Sequence, residues 1–530
     1  MSLTCSTVQV APTRTIGTGR LSSTAKAKGL SLTAMGGIQA PPVAFAVHLS
    51  LPTGPSSSIS STVPSPLLPT VPPPTLAHAA LALDSRAQDD IFAAEFLTAA
   101  YNLDNFAMSS AASSRALPSW INLARSRKHI SRAMDVLDQR DNVRYSAALQ
   151  SPRNVRRRSD SVGSADSAGS GGQYAYHGGN GGGCGLPDEL VEYYGAVHGL
   201  HPQNQPKNRY SDIYAFDRTR VCAPCVAGGS SRYINANLVR ELHGGKYWIA
   251  AQAALPFTAH ALLSIMLRPV DALPAWAAST LQPRTVVQLT LGQESGRVKA
   301  HAYFPDHVGE SLDIQPEGPT MPPITITVLA KREYPEAAAV VTTLRIAVAS
   351  SRTGQPPHQH VFNHMLYTAW PDHGVPQDRT SLVRFVRLVD RANRDPRSIH
   401  AAFHSSSTVT SRAPNAAPPA IVGCSAGVGR TGAFIAISSL LRANALFDAP
   451  APAPGSSPQR PTPHTASAGQ QPSSVPPLPA SLLGGLPNDL EADPVIAEVD
   501  AMREQRGRMV QTQGQLLFVY ACVAAAFQDA

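Results

Sequence analysis

No run of eighteen apolar residues occurs in this sequence, so no membrane-spanning helix is predicted. The first residues also lack the short basic-then-apolar layout of a secretory leader. Cysteine is scarce: Cys5, Cys184, Cys222, Cys225, Cys424 and Cys522 are the only six in 530 residues, and their spacing is irregular. This excludes a disulfide framework and fits a reducing compartment, so the expected location is the cytoplasm, with the nucleus as second choice. Cys222 and Cys225 form a lone CxxC with no second pair nearby, too few ligands for a zinc site. Aromatic residues make up only 6% and charged residues only 15%, against 47 prolines and 38 glycines. Such a chain cannot pack throughout; the expectation is one folded domain with long unstructured stretches. The net charge of +8 is carried by scattered Lys and Arg, which argues against a nucleic-acid surface. The one tight cluster, Arg156 to Arg158, reads as a solvated charge run.

Residues 1–117 show no sustained periodicity, and residues 51–74 are rich in Pro, Ser and Thr. This region is expected to be a disordered tail, with a short amphipathic piece near Asp90 to Tyr101. The absence of acidic residues before Asp84 also suits a transit peptide, although the tail reading is preferred. From Pro118 to about Asp138, Trp120, Ile121, Leu123, Ile130, Met134 and Leu137 recur at helical spacing and predict a helix. A domain over 118–530 is expected, with low-complexity insertions near 151–185, 400–418 and 449–488. In the first insertion, Ser159 and Ser161 follow the arginine cluster and suggest regulation by a basophilic kinase. Strand-like runs at 233–236, 247–250, 286–291, 324–329, 340–348 and 421–422 mix with helical runs at 381–392, 431–446, 494–503 and 513–527. The order is not a strict strand–helix alternation. The predicted class is therefore α/β of the α+β kind, a mixed sheet flanked by helices.

The most informative segment is Ile421-Val422-Gly423-Cys424-Ser425-Ala426-Gly427-Val428-Gly429-Arg430-Thr431-Gly432. An apolar strand ends at Cys424, a Gly-rich turn follows, and a helix begins near Arg430. Gly427 and Gly429 let successive amides converge on one point, and the helix N-terminus adds its positive dipole end. Arg430 can grip two phosphate oxygens through its planar fork. The same field favours a thiolate, aimed at phosphorus.

This segment resembles the signature loop of the protein tyrosine phosphatase family, in its phosphotyrosine-specific branch. The family pattern is His-Cys-Ser-Ala-Gly-x-Gly-Arg-Ser/Thr-Gly, and only Gly423 departs from it. Further segments resemble family motifs in the family's order. Trp370-Pro371-Asp372-His373-Gly374-Val375-Pro376, 52 residues before Cys424 measured from Asp372, is similar to the lid that closes over substrate. Lys207-Asn208-Arg209-Tyr210-Ser211-Asp212 is similar to the phosphotyrosine-recognition loop, and Gln511-Thr512-Gln513-Gly514-Gln515 to the loop that orients the attacking water.

The resemblance implies a twisted mixed sheet and hydrolysis of phosphotyrosine in proteins, with no cofactor or metal. It implies Cys424 as nucleophile and Arg430 as phosphate clamp. Asp372 would be general acid and then base, Gln515 would hold the water, and Thr431 would assist. Ser425, Ala426, Gly427, Val428 and Gly429 would line the cradle. Tyr210 would set the depth of the slot, Asp212 would accept hydrogen bonds from the substrate backbone, and Gln511 would line the site. Glu294 would pair with Arg430 and Lys299 with Asp372, while Trp370 would support the lid.

Gly423 removes a side chain that in the family helps hold the thiolate, so slowed turnover is expected, and a weakly active or inactive phosphotyrosine-binding domain is the alternative. A dual-specificity or phosphoinositide phosphatase is disfavoured, because residues 425–428 carry no basic side chain for further phosphates.

Overall fold

The structure is a computed structural model that describes residues 116–160, 185–224, 231–268, 282–318, 321–349, 357–394, 417–447 and 478–529, without the side chains of 153–160. The expected tail over 1–117 and the piece near Asp90 thus lie almost wholly outside the described residues. So do Cys225, Ser161 and the side chain of Ser159.

The strands all lie between Arg220 and Cys424. β1 (Arg220–Ala223), β2 (Arg232–Arg240), β3 (Tyr247–Gln252) and β4 (Thr285–Gln288) come first. A separate two-residue hairpin, β5 (Gln293–Glu294) and β6 (Arg297–Val298), follows. β7 (Ser311–Ile314), β8 (Ile324–Tyr334), β9 (Ala339–Val348), β10 (His358–Tyr367) and β11 (Ala420–Cys424) complete the set. Nine strands pair in the order β1-β2-β3-β11-β4-β10-β9-β8-β7. The centre, β3-β11-β4-β10, is parallel and both flanks are antiparallel. This is the mixed α/β class expected.

Alternation along the central strands divides the interior into two cores. Trp248, Ala250, Val287, Ala420, Val422 and Cys424 face one core, whereas Ile249, Ala251, Val286 and Ile421 face the other. The first core is covered by α1 (Arg127–Asp160), α3 (Arg379–Arg394), α4 (Gly429–Ala443), α5 (Pro494–Gln505) and α6 (Gln513–Gln528). The second packs against α2 (Ala259–Leu267). α3 shows why a helix suits this place: Leu382, Val383, Phe385, Val386 and Val389 form one buried stripe. α4 and α6 are buried nearly all round, as internal helices must be.

Three expectations are corrected. The helix expected over 118–138 is a 3-10 turn, Ser119–Arg125, followed by α1, which runs to Asp160. Ser126 separates the two by accepting a bond from the His129 amide at 3.2 Å, an N-cap geometry. The excursion expected from residue 151 therefore starts later, because α1 continues through Pro152. Proline has no N–H for the Ala148 carbonyl, and the Ser151 hydroxyl donates to that carbonyl instead, at 2.6 Å. The insertion expected over 449–488 ends earlier: Arg140 donates to the Leu483 and Gly484 carbonyls, and Ser481 bonds Glu504 at 2.7 Å.

β10 was not expected at all. Its sequence, HQHVFNHMLY, alternates poorly because Asn363 and His364 are buried alongside Phe362 and Met365.

Candidate active site

β11 delivers Cys424 to the carboxyl end of the parallel strands, 6% exposed, and the chain turns at once into α4. The turn is possible only with glycine at its centre. Gly427 has φ +72°, and a Cβ there would lie 2.2 Å from the Ala251 carbonyl oxygen.

The carbonyls of the turn are all occupied. The Ala253 amide donates to those of Cys424 and Ser425, at 3.0 and 3.1 Å. Arg506 donates to Gly427 and Ala426, at 2.8 and 3.1 Å, and the Gly432 amide donates to Val428 at 2.7 Å. Among the described residues, the amides from Ser425 to Arg430 have no hydrogen-bond partner. A turn whose carbonyls are bound outward and whose amides are unpaired, opening a helix, is a receptor for an oxyanion.

Arg430 stands at the first turn of α4, where Glu294 holds it with two bonds of 2.7 and 2.8 Å. Burial lowers the arginine's proton affinity, but the Glu294 bonds and the Cys424 charge more than offset this, so its pKa lies above the usual value. Burial likewise pushes the Glu294 carboxyl up, whereas its bonds from Arg430 and Thr290 bring it below the ordinary range. The guanidinium also donates to the Pro371 and Asp372 carbonyls at 2.9 and 3.2 Å, so the 370–376 segment rests on Arg430.

Trp370, 2% exposed, roots that segment against Tyr367 and Phe518. Asp372 forms an ion pair with Lys299 at 2.6 Å. Burial would raise its carboxyl, but Lys299 and then Ser295 hold it down to about 2, which keeps it ionised.

The other sequence candidates gather around the same turn. The Tyr210 hydroxyl meets the Ser425 hydroxyl at 2.8 Å, and Ser425 donates to the Lys299 carbonyl at 2.8 Å. Gln511 and Gln515 press against Gly429, where a Cβ would come within 2.7 Å of one and 2.9 Å of the other. The Gln511 amide donates to the Gln515 side chain at 2.9 Å. The Thr431 hydroxyl is buried and has no hydrogen-bond partner among the described residues. Asp212 is engaged by Arg508 at 2.7 Å.

Gly423 leaves no vacancy for a larger residue. A Cβ there would lie 2.5 Å from the Ala251 carbonyl oxygen, and β3 would have to move.

One residue of the site escaped sequence analysis. Arg506 is fully buried beneath the turn, held by Asn237 and Asn235 at 2.8 Å each as well as by the two turn carbonyls. Among the described residues it has no carboxylate partner. Burial lowers its pKa to about 10, and the nearest compensating charges are those of Tyr233 and Cys424. Nothing in Arg503, Arg506 and Arg508 as a string tells which of them bonds the Cys424 turn; only the fold does.

Fold and geometry define a domain of the mixed α/β class with a buried cysteine and an arginine on either side of a turn of unpaired amides. Residues 204–446 match the family model for Protein-tyrosine phosphatase. The Caenorhabditis elegans Tyrosine-protein phosphatase Lar-like is 32% identical over 254 residues, covering 48% of this chain and 9% of that protein. The human Receptor-type tyrosine-protein phosphatase F is 33% identical over 239 residues, covering 45% of this chain and 10% of its own length. The chain thus spans about a tenth of the curated relatives it matches. No helix among the described residues is long and apolar enough to cross a membrane, whereas the human relative is named as receptor-type.

Proposed function

We propose that this chain hydrolyses phosphotyrosine in proteins through a cysteinyl-phosphate intermediate. Arg430 and the unpaired amides of residues 425–430 take the three non-bridging oxygens and stabilise them as charge builds. The Cys424 sulfur attacks phosphorus in line, the bond from phosphorus to the tyrosyl oxygen breaks, and Asp372 gives its proton to the departing phenolate. Water held by Gln515 then attacks phosphorus. Asp372 takes its proton, the phosphorus–sulfur bond breaks, and inorganic phosphate leaves.

Asp372 must be protonated for the first step, yet its pairing with Lys299 favours the ionised form. The incoming phosphate dianion supplies the correction, since a like charge nearby raises a carboxyl's proton affinity. Tyr210, bonded to the cradle serine, walls a slot that suits an aryl phosphate.

The observation that carries this reading is the cradle itself: unpaired amides between a buried cysteine and an arginine clamped by a carboxylate. The test is turnover of p-nitrophenyl phosphate and a phosphotyrosine peptide by wild type and Cys424→Ser. Release of phosphate by wild type alone is expected, with a loss of at least three decades in the variant. Equal, background rates would make the chain a phosphotyrosine-binding domain instead.

A further inference from the structure

The 207–212 loop, which carries Tyr210, is anchored through the residue beside it. The Arg209 amide donates to the Gln252 side chain at 2.9 Å, and the Arg209 guanidinium donates to the Ala253 and Ala254 carbonyls at 3.1 and 2.9 Å. Nη2 of the same guanidinium meets Nδ1 of His301 at 2.9 Å. Arginine can only donate, so Nδ1 must accept, and it does so only while the imidazole is neutral.

His301 lies two residues beyond Lys299, on a segment that reaches three parts of the site. Lys299 pairs with Asp372 at 2.6 Å, its carbonyl accepts from Ser425 at 2.8 Å, and His301 buttresses Arg209. Tyr210 in turn meets the same serine at 2.8 Å. The acids that line a groove with the half-buried His301 are already engaged: Asp313 accepts from Thr325 at 2.7 Å, and Glu317 from Lys207 at 2.8 Å. Burial and then the Arg209 charge lower the imidazole's proton affinity, against an upward pull from the Ala254 carbonyl. His301 is therefore neutral at pH 7, and a proton taken up in mild acid sets two cations against each other.

We propose that His301 is a positioning residue whose neutral imidazole holds Arg209, and through it the Tyr210 loop, in the arrangement that grips substrate. Protonation releases that hold, so substrate binding weakens in mild acid while the groups at phosphorus stay in place. This rests on the reading of the cradle as a phosphotyrosine site.

The experiment uses the full chain as Cys424→Ser, which holds a phosphotyrosine peptide without turning it over, and measures the Kd of that peptide between pH 7.5 and 5.5. His301→Asn keeps an acceptor in the place of Nδ1 and does not titrate, whereas His301→Ala removes the acceptor at every pH. The phosphate of the peptide titrates in the same range, so each affinity is read as a ratio to that of the Asn form at the same pH. The Ala form is expected to bind about fivefold more weakly than the Asn form throughout, as for one lost hydrogen bond. The parent is expected to match the Asn form at pH 7.5 and to fall toward the Ala form at pH 5.5. A parent-to-Asn ratio that stays constant with pH, or equal binding by the Asn and Ala forms, would overturn the assignment. Wild-type turnover of p-nitrophenyl phosphate is read separately, so failure of the catalytic reading and failure of this one give different results.

Discussion

Gly423 shows how a single position changes meaning between sequence and structure. In the motif it is a missing histidine; in the fold it is a close approach of two backbones, with the Ala251 carbonyl where a side chain would begin. Restoring histidine therefore does not repair the site. Gly423→His and Gly423→Ala are each expected to lower stability by about 1–3 kcal/mol, read as a shift in the urea midpoint, and neither should raise kcat. Arg506 is the complementary case, a buried cation bound to the cradle from below. Arg506→Met leaves the Ala426 and Gly427 carbonyls and two asparagines without donors, so the turn relaxes. The inhibition constant of inorganic phosphate is expected to rise about tenfold or more. Arg506→Lys should restore little of it, since a point charge cannot reproduce a fork that reaches four acceptors. Equal phosphate inhibition in wild type and Arg506→Met would remove Arg506 from the account.

At the scale of elements, β10 carries the clearest pH dependence. Burial holds His364 neutral, with its pKa lowered to about 4; His360 is lowered similarly by burial, partly countered by its bond to the Pro283 carbonyl. The unfolded chain takes up these protons near the ordinary value of about 6.5. Stability from both residues is therefore present above that pH and is lost as pH falls from about 6.5 toward about 4. His364→Gln is expected to flatten the decline between pH 6.5 and 5, measured by denaturant midpoints, and an unchanged slope would contradict the assignment. These buried polar residues also hid the strand from sequence analysis. β11 was legible because its apolar run, Ala420 to Val422, ends in a motif, whereas β10 is specified by neighbours such as Thr343 and Gln288 that bond Asn363 and His364.

Across the whole molecule, segments far apart in the chain form one body around the site. Arg144 on α1, fully buried, pairs with Asp500 at 2.7 Å and Glu504 at 2.5 Å on α5, and Arg140 secures the 481–485 segment. α5 leads to Arg506 and Gln511 in the loop that follows and to Gln515 in the first turn of α6, although both α1 and α5 lie outside the residues matched by the family model. Arg144→Ala is expected to cost about 3–5 kcal/mol, because buried Glu504 loses its arginine and Asp500 is left with Arg140 alone. A chain beginning at Asn204 should be less stable still, having lost Ile130 and Leu137 from the core as well; cooperative unfolding with an unchanged midpoint would refute this.

The sequence by itself determined the mixed class and brought out the Cys424 turn and the Trp370-Pro371-Asp372 segment, because each is a local pattern in which residue order and chemistry coincide. Only the tertiary structure decided that Gly423 is a packing requirement, that Arg506 faces inward and that Arg508 holds Asp212. Those facts depend on which distant backbone or side chain stands opposite, and chain order does not encode a neighbour brought from hundreds of residues away.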